Sequence, residues 1–269
     1  MRAFLAEHQE AGAQDALEAA ISAAILEQNT DQGLCSADEP GFSCESHVIL
    51  LKSSAGRAGG PVDTVTVYLM ALYQVYSFPG GVIQEVGGSH IPAALTFAAD
   101  GAGGCRLVEY WMPRDGSYYV PDLRKRFPAE IAEDALDTQK YILSQKQDCY
   151  AQAVESGRVD TDTAIKGLMD IILSSPAASS APMDHIEAHP VEYWELAYYG
   201  DSTLEYCFGE FLKGGQTDLR GGIFQAVMDR LLEEERISGE TASGQVYFDA
   251  WRAETEKAYM EHGEAYMRT

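Results

Sequence analysis

The residues with the clearest potential for chemistry are polar and aromatic side chains near residue 90 and between residues 109 and 119. A ligand pocket needs apolar walls and a few convergent polar groups, and this set supplies both. Histidine changes charge near neutral pH, and tyrosine and tryptophan combine an apolar ring with a polar tip. The candidate ligand-binding residues are His90, Glu109, Trp111, Arg114, Asp115, Tyr118 and Tyr119.

The same residues allow two other interpretations. Arg114 and Asp115 are adjacent in a P-R-D-G turn and can pair there, while the two tyrosines fill the junction between strand and helix. His90 can also work as a general acid or base with Glu109 or Asp115, because a carboxylate holds an imidazole in one tautomer. A pocket, a structural turn and an acid–base pair therefore remain as alternatives.

No other motif predicts catalysis or a metal site. His185 and His189 are one helical turn apart, but the glutamate between them is misplaced for H-E-x-x-H, and Pro190 interrupts a helix through them. The chain has no G-x-S-x-G elbow, no S-x-x-K and no phosphate-binding glycine loop. We therefore predict no catalytic residue, no metal ion and no cofactor.

The five cysteines are an odd number without a C-x-x-C pair. Cys35 and Cys44 flank a loop of eight residues and can form a disulfide in an oxidising compartment. The alternative, which we favour, is free thiols, with Cys105, Cys149 and Cys207 packed as small hydrophobic side chains.

Net charge excludes several classes of partner. The chain has 42 acidic and 19 basic residues and a formal net charge of −23. Nucleic acid is not expected as a partner, because its binding depends on Lys and Arg at the phosphates, and an anionic membrane surface is disfavoured too. The basic run Arg124-Lys125-Arg126 is interpreted as a surface feature. A third functional alternative is a protein-interaction scaffold in which the acidic helical half docks a basic partner protein.

Hydropathy predicts no direct membrane insertion of this segment. No stretch approaches the roughly 18 apolar residues of a bilayer span. The first residues become acidic before a signal-peptide core can develop. The protein is therefore expected to be cytoplasmic if Met1 is the true start.

Periodicity predicts the elements that position these residues. Residues 12–29 have the apolar spacing of an amphipathic helix. Strand-like runs follow at 47–52, 64–78, 91–99 and 105–112, and the second has apolar residues on both faces, which predicts cover on both sides. Glycine-rich turns indicate an N-terminal helix on a four-stranded antiparallel meander. In this meander the start of the third strand and the end of the fourth share an edge, so His90 and Trp111 are expected to be cross-strand neighbours.

The period changes to about 3.6 residues at Pro128. One helix is predicted from Pro128 to Val154 and another after the Asp160 cap, followed by a loop at 174–183. Further helices are predicted at 190–199, 201–213, 218–235 and 243–262. The fold class is therefore α+β, with a helix and sheet in residues 1–127 and an all-helical half in residues 128–269, packed together as one unit.

A set of longer strings resembles a known region. These strings are GGSHIPAALTF (87–97), EYWMPRDGSYY (109–119), DALDTQKYIL (134–143), SSPAASS (174–180), AHPVEYWEL (188–196), YYGDSTLEY (198–206) and GEFLKGGQT (209–217). Together they resemble an uncharacterised region of Firmicutes proteins, on the outer side of membrane-bound regulators of the BlaR1-like M56 metallopeptidase type. The similarity extends from about Glu45 to Trp251.

The resemblance implies a sensor or ligand-binding module outside the membrane. The H-E-x-x-H motif of the peptidase is absent, and so are the S-x-x-K and K-T-G motifs of β-lactam sensing, so neither activity is implied. We therefore predict a non-catalytic sensor or ligand-binding module of a bacterial signalling or surface protein, extracytoplasmic and membrane-tethered. Its partner is expected to be a small molecule or a protein.

Overall fold

The computed structural model describes residues 2–29, 41–56, 62–99, 104–232 and 242–266. Contacts within the chain divide it into two units. The sheet unit comprises Met1–Pro79 and Ile83–Gly157, and the helical unit comprises Gly80–Val82 and Arg158–Thr269.

The sheet unit begins with one helix and continues with four strands. The helix is α1 (Arg2–Asn29), and the strands are β1 (Phe42–Gly56), β2 (Val62–Ser77), β3 (Gln84–Ala99) and β4 (Cys105–Trp111). Neighbouring strands are antiparallel in the order β1-β2-β3-β4. This architecture confirms the predicted N-terminal helix and antiparallel meander, although β1 and β3 begin earlier than predicted.

Both faces of the sheet are covered, as the two apolar faces of β2 predict. On one face, Ile21 and Ile25 of α1 pack with Val67, Leu69 and Leu95. The other face is covered by the three helices that follow the sheet. They are α2 (Tyr119–Arg126), α3 (Ala129–Leu136) and α4 (Gln139–Glu155).

The helices after the sheet differ from the prediction. The single helix predicted from Pro128 to Val154 is interrupted at Asp137, whose φ of −87° and ψ of 72° are not helical. Because α3 and α4 pack on the sheet, the two units divide after Gly157 and not between residues 127 and 128.

The helical unit contains six helices among the described residues. They are α5 (Thr161–Ser174), α6 (Pro182–Ala188), α7 (Pro190–Tyr198), α8 (Asp201–Lys213), α9 (Leu219–Leu231) and α10 (Gly244–Tyr266). The Asp160 side chain accepts from the Thr163 N–H and caps α5 as predicted. In the core, the Phe211 ring stacks on Phe248 with centroids 4.9 Å apart. This unit confirms the predicted helical C-terminal half.

One glycine is required by a close helix approach. A Cβ on Gly244 would lie 2.0 Å from the carbonyl oxygen of Gly221, so no larger residue fits where α10 meets α9. Within the described ranges, none of the helices is both long and apolar enough to cross a membrane.

Candidate functional site

The predicted site residues at the end of β4 form a paired surface group. Trp111 lies opposite Ala94, and its ring centroid is 6.0 Å from that of Phe127. The Arg126 guanidinium lies 5.8 Å from the Trp111 ring centroid and also donates to the Glu109 carboxylate. The charged groups beside Trp111 are therefore already matched within the protein.

Arg114 pairs with Asp122 of α2 and not with Asp115. Its Nε and Nη2 donate to the two carboxylate oxygens at 2.7 and 2.8 Å, and its Cζ lies 4.2 Å from the Tyr118 ring centroid. The hydrogen bonds from Arg114 lower the pKa of Asp122 to about 2. The interpretation of an Arg114–Asp115 pair within the turn is wrong, because α2 supplies a carboxylate in bidentate geometry.

The two tyrosines have different surroundings. Tyr118 is 55% exposed beneath Arg114. Tyr119 packs against the cluster around Leu123 and Phe127, where burial raises its pKa. Six of the seven predicted residues thus lie between the end of β4 and the start of α2, and none of the seven lines the cavity described below.

The expectation that His90 and Trp111 are cross-strand neighbours is wrong. His90 pairs with Leu72 of β2, whereas Trp111, the last residue of β4, lies opposite Ala94. Four residues of an extended strand separate positions 90 and 94, or about 13 Å. The reason is the register: β4 starts opposite Ala99, and its seven residues do not reach the first half of β3.

The partner of His90 is an amide and not a carboxylate. Gln145 of α4 is fully buried, and its Nε2 donates to the carbonyl oxygens of Ser46 and Met70 at 2.9 and 3.0 Å. Its Oε1 lies 2.9 Å from His90 Nε2, so this ring nitrogen carries the proton. Burial lowers the pKa of His90; the Gln145 hydrogen bond opposes this effect and the charge of Lys146 reinforces it. Glu109, which lies opposite Thr96, does not form the predicted acid–base pair with His90.

A cavity of about 430 Å³ lies at the free edge of β1. One wall comes from α1, the floor from three consecutive residues of β1, and the other wall from one face of α4. The lining residues are Glu18, Glu45, Ser46, His47, Asp148, Ala151, Gln152 and Glu155.

His47 connects the two carboxylates on the α1 side of this cavity. Its Nε2 lies 2.9 Å from Glu18 Oε2, and its Nδ1 lies 3.1 Å from Glu45 Oε2. Carboxylates only accept hydrogen bonds, so the imidazolium, which donates from both nitrogens, fits this position. Burial lowers the pKa of His47, but the hydrogen bonds and charges of Glu45 and Glu18 outweigh it, so the pKa is raised overall.

The Glu18 carboxylate is shared between two cations. Lys52 Nζ donates to its Oε1 at 3.4 Å while His47 holds its Oε2. Partial burial raises the pKa of Glu18, but the hydrogen bond from His47 and the charge of Lys52 outweigh burial and lower the pKa overall.

The opposite wall ties α4 to the strand edge. Ser46 Oγ donates to Asp148 Oδ2 at 2.7 Å, and Gln152 Nε2 donates to the Glu45 carbonyl oxygen at 2.6 Å. The side chains of Asp148 and Glu155 are exposed. The lining has four carboxylates and one histidine, and Lys52 pairs with Glu18, so acidic groups outnumber basic ones and the cavity suits a cationic group.

Part of this cavity has a signal in the sequence. Residues 45 and 47 share one face of a strand, and 148, 151, 152 and 155 share one face of a helix. The sequence does not show that the strand residues and the helix residues lie next to each other, because the Gln152–Glu45 contact joins residues 107 positions apart.

The described residues include four cysteines, all of them free thiols, and three of them are buried. Cys35 lies outside the described residues; Cys44 is buried, and its Sγ lies 3.8 Å from the Gln74 carbonyl oxygen. A hydrogen bond with Cys44 and burial raise the pKa of the Cys149 thiol.

Across the described part of the chain, His, Cys, Asp and Glu side chains form no group of three able to hold a metal ion. Comparisons with protein-family models, with curated proteins and with solved structures find no match.

Proposed function

We propose that this protein is a ligand-binding module and that its sheet unit binds a cationic group at the free edge of β1. The observation that carries the proposal is the cavity in which His47 bridges Glu18 and Glu45 while Asp148 and Glu155 face it from α4. Opposite charge raises the local concentration of a cation, and carboxylates form strong charge-assisted hydrogen bonds with ammonium or guanidinium donors.

The two walls have different roles in this proposal. Glu18 and Glu45 are already engaged by His47, so they hold the floor of the cavity in place. Asp148 accepts one bond from Ser46 and keeps further lone pairs, and Glu155 lies seven residues, or about two helical turns, further along α4. An ammonium group, which has three donors, is suited to pair with either of these carboxylates.

The resemblance to the outer region of BlaR1-like regulators supports a sensing role for this binding. In that context the module lies outside the membrane, tethered to a signalling protein, and reports a small cationic molecule or a basic segment of a protein. No protease or β-lactam chemistry is part of the proposal.

Titration with a simple diamine tests the proposal. We expect 1,4-diaminobutane to shift backbone amide NMR signals of β1 and α4, and 1,4-butanediol, which has the same length without charge, to leave them in place. The double variant Asp148→Asn/Glu155→Gln is expected to weaken binding at least about tenfold, since each hydrogen bond to a charged group contributes roughly 1.5–3 kcal/mol.

Glu133→Gln is the matched control for that variant. It removes one exposed carboxylate from α3, where Glu133 pairs with Arg124 outside the cavity. Binding of the diamine is expected to be unchanged. Equal binding of the diol, or equal weakening by Glu133→Gln and by the double variant, would contradict a specific cation site.

A further inference from the structure

Three side chains of the helical unit form a second constellation, unrelated to the cavity of the sheet unit. Ser175 Oγ lies 2.8 Å from His189 Nε2. On the other side of the ring, His189 Nδ1 lies 3.8 Å from Glu192 Oε2. We propose that Ser175, His189 and Glu192 act as nucleophile, general base and orienting carboxylate in the hydrolysis of carboxylic esters, an activity that goes beyond the proposed binding function.

The backbone places all three groups at helix ends. Ser175 follows α5 in an extended conformation, with φ −158° and ψ 155°. His189 is the residue between α6 and α7, and Glu192 lies in the first turn of α7. Because α5 packs against both α6 and α7, residues 14 positions apart in the chain are brought into hydrogen-bond contact.

A buried histidine anchors the loop that carries Ser175. His185 is 2% exposed, and its Nδ1 lies 2.9 Å from the Ile172 carbonyl oxygen. Its Nε2 lies 3.1 Å from the Ser179 carbonyl oxygen. The His185 ring therefore contacts the backbone both before and after Ser175 in the chain. A nucleophile needs this kind of support, because small displacements from the reactive geometry are costly.

The polar partners of His189 suit a general base. A carboxylate beside Nδ1 favours the tautomer with the proton on Nδ1, which leaves the Nε2 lone pair for the Ser175 hydroxyl. The Nδ1–Glu192 distance exceeds a hydrogen bond, and such contacts are often looser without substrate. The side chains of His189 and Glu192 are 17% and 27% exposed, so the group is shielded but reachable.

Exposed apolar side chains on the helices that carry or flank the triad indicate the class of substrate. Ile171 of α5, Met183 of α6 and Val191 of α7 are 45%, 55% and 71% exposed, so each element that carries or flanks the triad also presents an apolar side chain. Together they favour an ester with an apolar acyl group. In the first turn of α7, Pro190 has no N–H and the Tyr193 N–H donates to the His189 carbonyl oxygen, so the N–H groups of Val191 and Glu192 are the ones that suit a developing oxyanion.

Hydrolysis of the ester requires water as its only co-reactant. Ser175 Oγ bonds to the ester carbonyl carbon while its proton passes to His189 Nε2, and the alcohol leaves with that proton as its C–O bond breaks. Water then bonds to the acyl carbon and gives a proton to His189. The bond from the acyl carbon to Ser175 breaks as Oγ regains the proton, so ester and water become acid and alcohol.

A fluorophosphonate reagent tests the nucleophile on the full chain. Attack by Ser175 forms an O–P bond and releases fluoride, with the hydroxyl proton passing through His189 to solvent. We expect one label per chain, mapped to Ser175 by peptide mass spectrometry, and hydrolysis of p-nitrophenyl butyrate that the label abolishes. Because the mapping uses the unaltered protein, it does not depend on the folding of a variant.

Two variants distinguish the nucleophile from its neighbour. Ser175→Ala is expected to lose labelling and to lower ester hydrolysis by about 100-fold or more. Ser174→Ala removes the adjacent exposed hydroxyl, which donates to the Ile171 carbonyl oxygen, and is expected to react like the unaltered protein. Label on a different residue, or equal ester hydrolysis by Ser175→Ala, would overturn the proposal.

Glu192 is a positioning residue and needs a separate readout. Glu192→Gln is expected to lower the labelling rate about tenfold, because a carboxylate beside Nδ1 orients the imidazole and stabilises the imidazolium that forms when Ser175 gives up its proton. Glu192→Asp, which keeps the charge, is expected to restore part of the rate. An unchanged labelling rate in Glu192→Gln, or a rate in Glu192→Asp no higher than in Glu192→Gln, would overturn the role given to Glu192.

Discussion

His47 in the sheet unit and His189 in the helical unit each lie between two oxygen-bearing side chains. One partner is a carboxylate in both cases, and the chemical type of the other partner determines what each histidine can do. Both partners of His47 are carboxylates, which only accept, so its ring is suited to the cationic form. One partner of His189 is a hydroxyl, which can donate, so its ring can remain neutral and accept a proton. The comparison shows that a histidine–carboxylate contact by itself does not identify a base.

The elements that hold the two histidines also differ. His47 lies within β1, whose ladder to β2 extends over most of both strands. His189 lies at a junction between two helices, where its own carbonyl accepts from the Tyr193 N–H at the start of α7. The first site is thus part of a continuous hydrogen-bonded sheet, and the second is assembled from helix ends and one loop.

Replacement of His189 is the largest expected effect. In His189→Gln the rate of fluorophosphonate labelling at Ser175 is expected to fall about 1000-fold, since general-base assistance contributes 10²–10⁴. The matched control is His90→Gln, which changes a half-buried histidine of the sheet unit, and its labelling rate is expected to be unchanged. Equal loss in both variants would contradict a general-base role specific to His189.

Removal of the Gln145 amide is the next largest effect, and it concerns the sheet that holds His47. Gln145→Leu leaves the carbonyl oxygens of Ser46 and Met70 and the His90 Nε2 without this partner. The expected cost is roughly 2–4 kcal/mol of unfolding free energy, because unsatisfied buried polar groups are expensive. Urea unfolding of Gln145→Leu and of Gln139→Leu, an exposed position in the same helix, measures it. A loss below about 1 kcal/mol would contradict the central role of this amide.

The pH dependence of stability at His47 is the smallest expected effect. The folded-state pKa of His47 is raised above its unfolded value of about 6.5. Its stabilising contribution is therefore complete below about pH 6.5 and is lost as pH rises through the folded-state pKa. The unfolding free energy of the unaltered protein minus that of His47→Gln should decrease over this window. An NMR titration of His47 in Glu45→Gln should show a lower pKa, and a pH-independent difference would be inconsistent with the bridge.

Local periodicity explains which elements were predictable. The alternation along β2 and the three-and-four spacing in α1 follow from burial of particular faces, so sequence predicts both elements and the cover on both sides of the sheet. Helices α2 and α6 were not predicted. They have eight and seven residues, and helices this short depend on tertiary packing more than on their own propensity.

The candidate sites show the same division. Sequence identified His90 and the residues from Glu109 to Tyr119 as polar and aromatic, but their partners come from other elements: Gln145 for His90 and Asp122 for Arg114. It also noted His189, as half of a rejected metal motif, without its contact to Ser175. The type of each side chain can be read at its own position in the sequence, whereas its contact partner depends on residues far away in the chain.

By itself, the sequence determined the α+β class, the antiparallel meander, the helical second half and the strongly acidic character. These properties follow from hydrophobic period, turn residues and summed charge, all of which can be read within short windows. Tertiary structure alone decided the boundary after Gly157, the cavity at the β1 edge and the Ser175–His189 contact. Each of these depends on how elements distant in the chain pack, and packing fixes which polar groups meet.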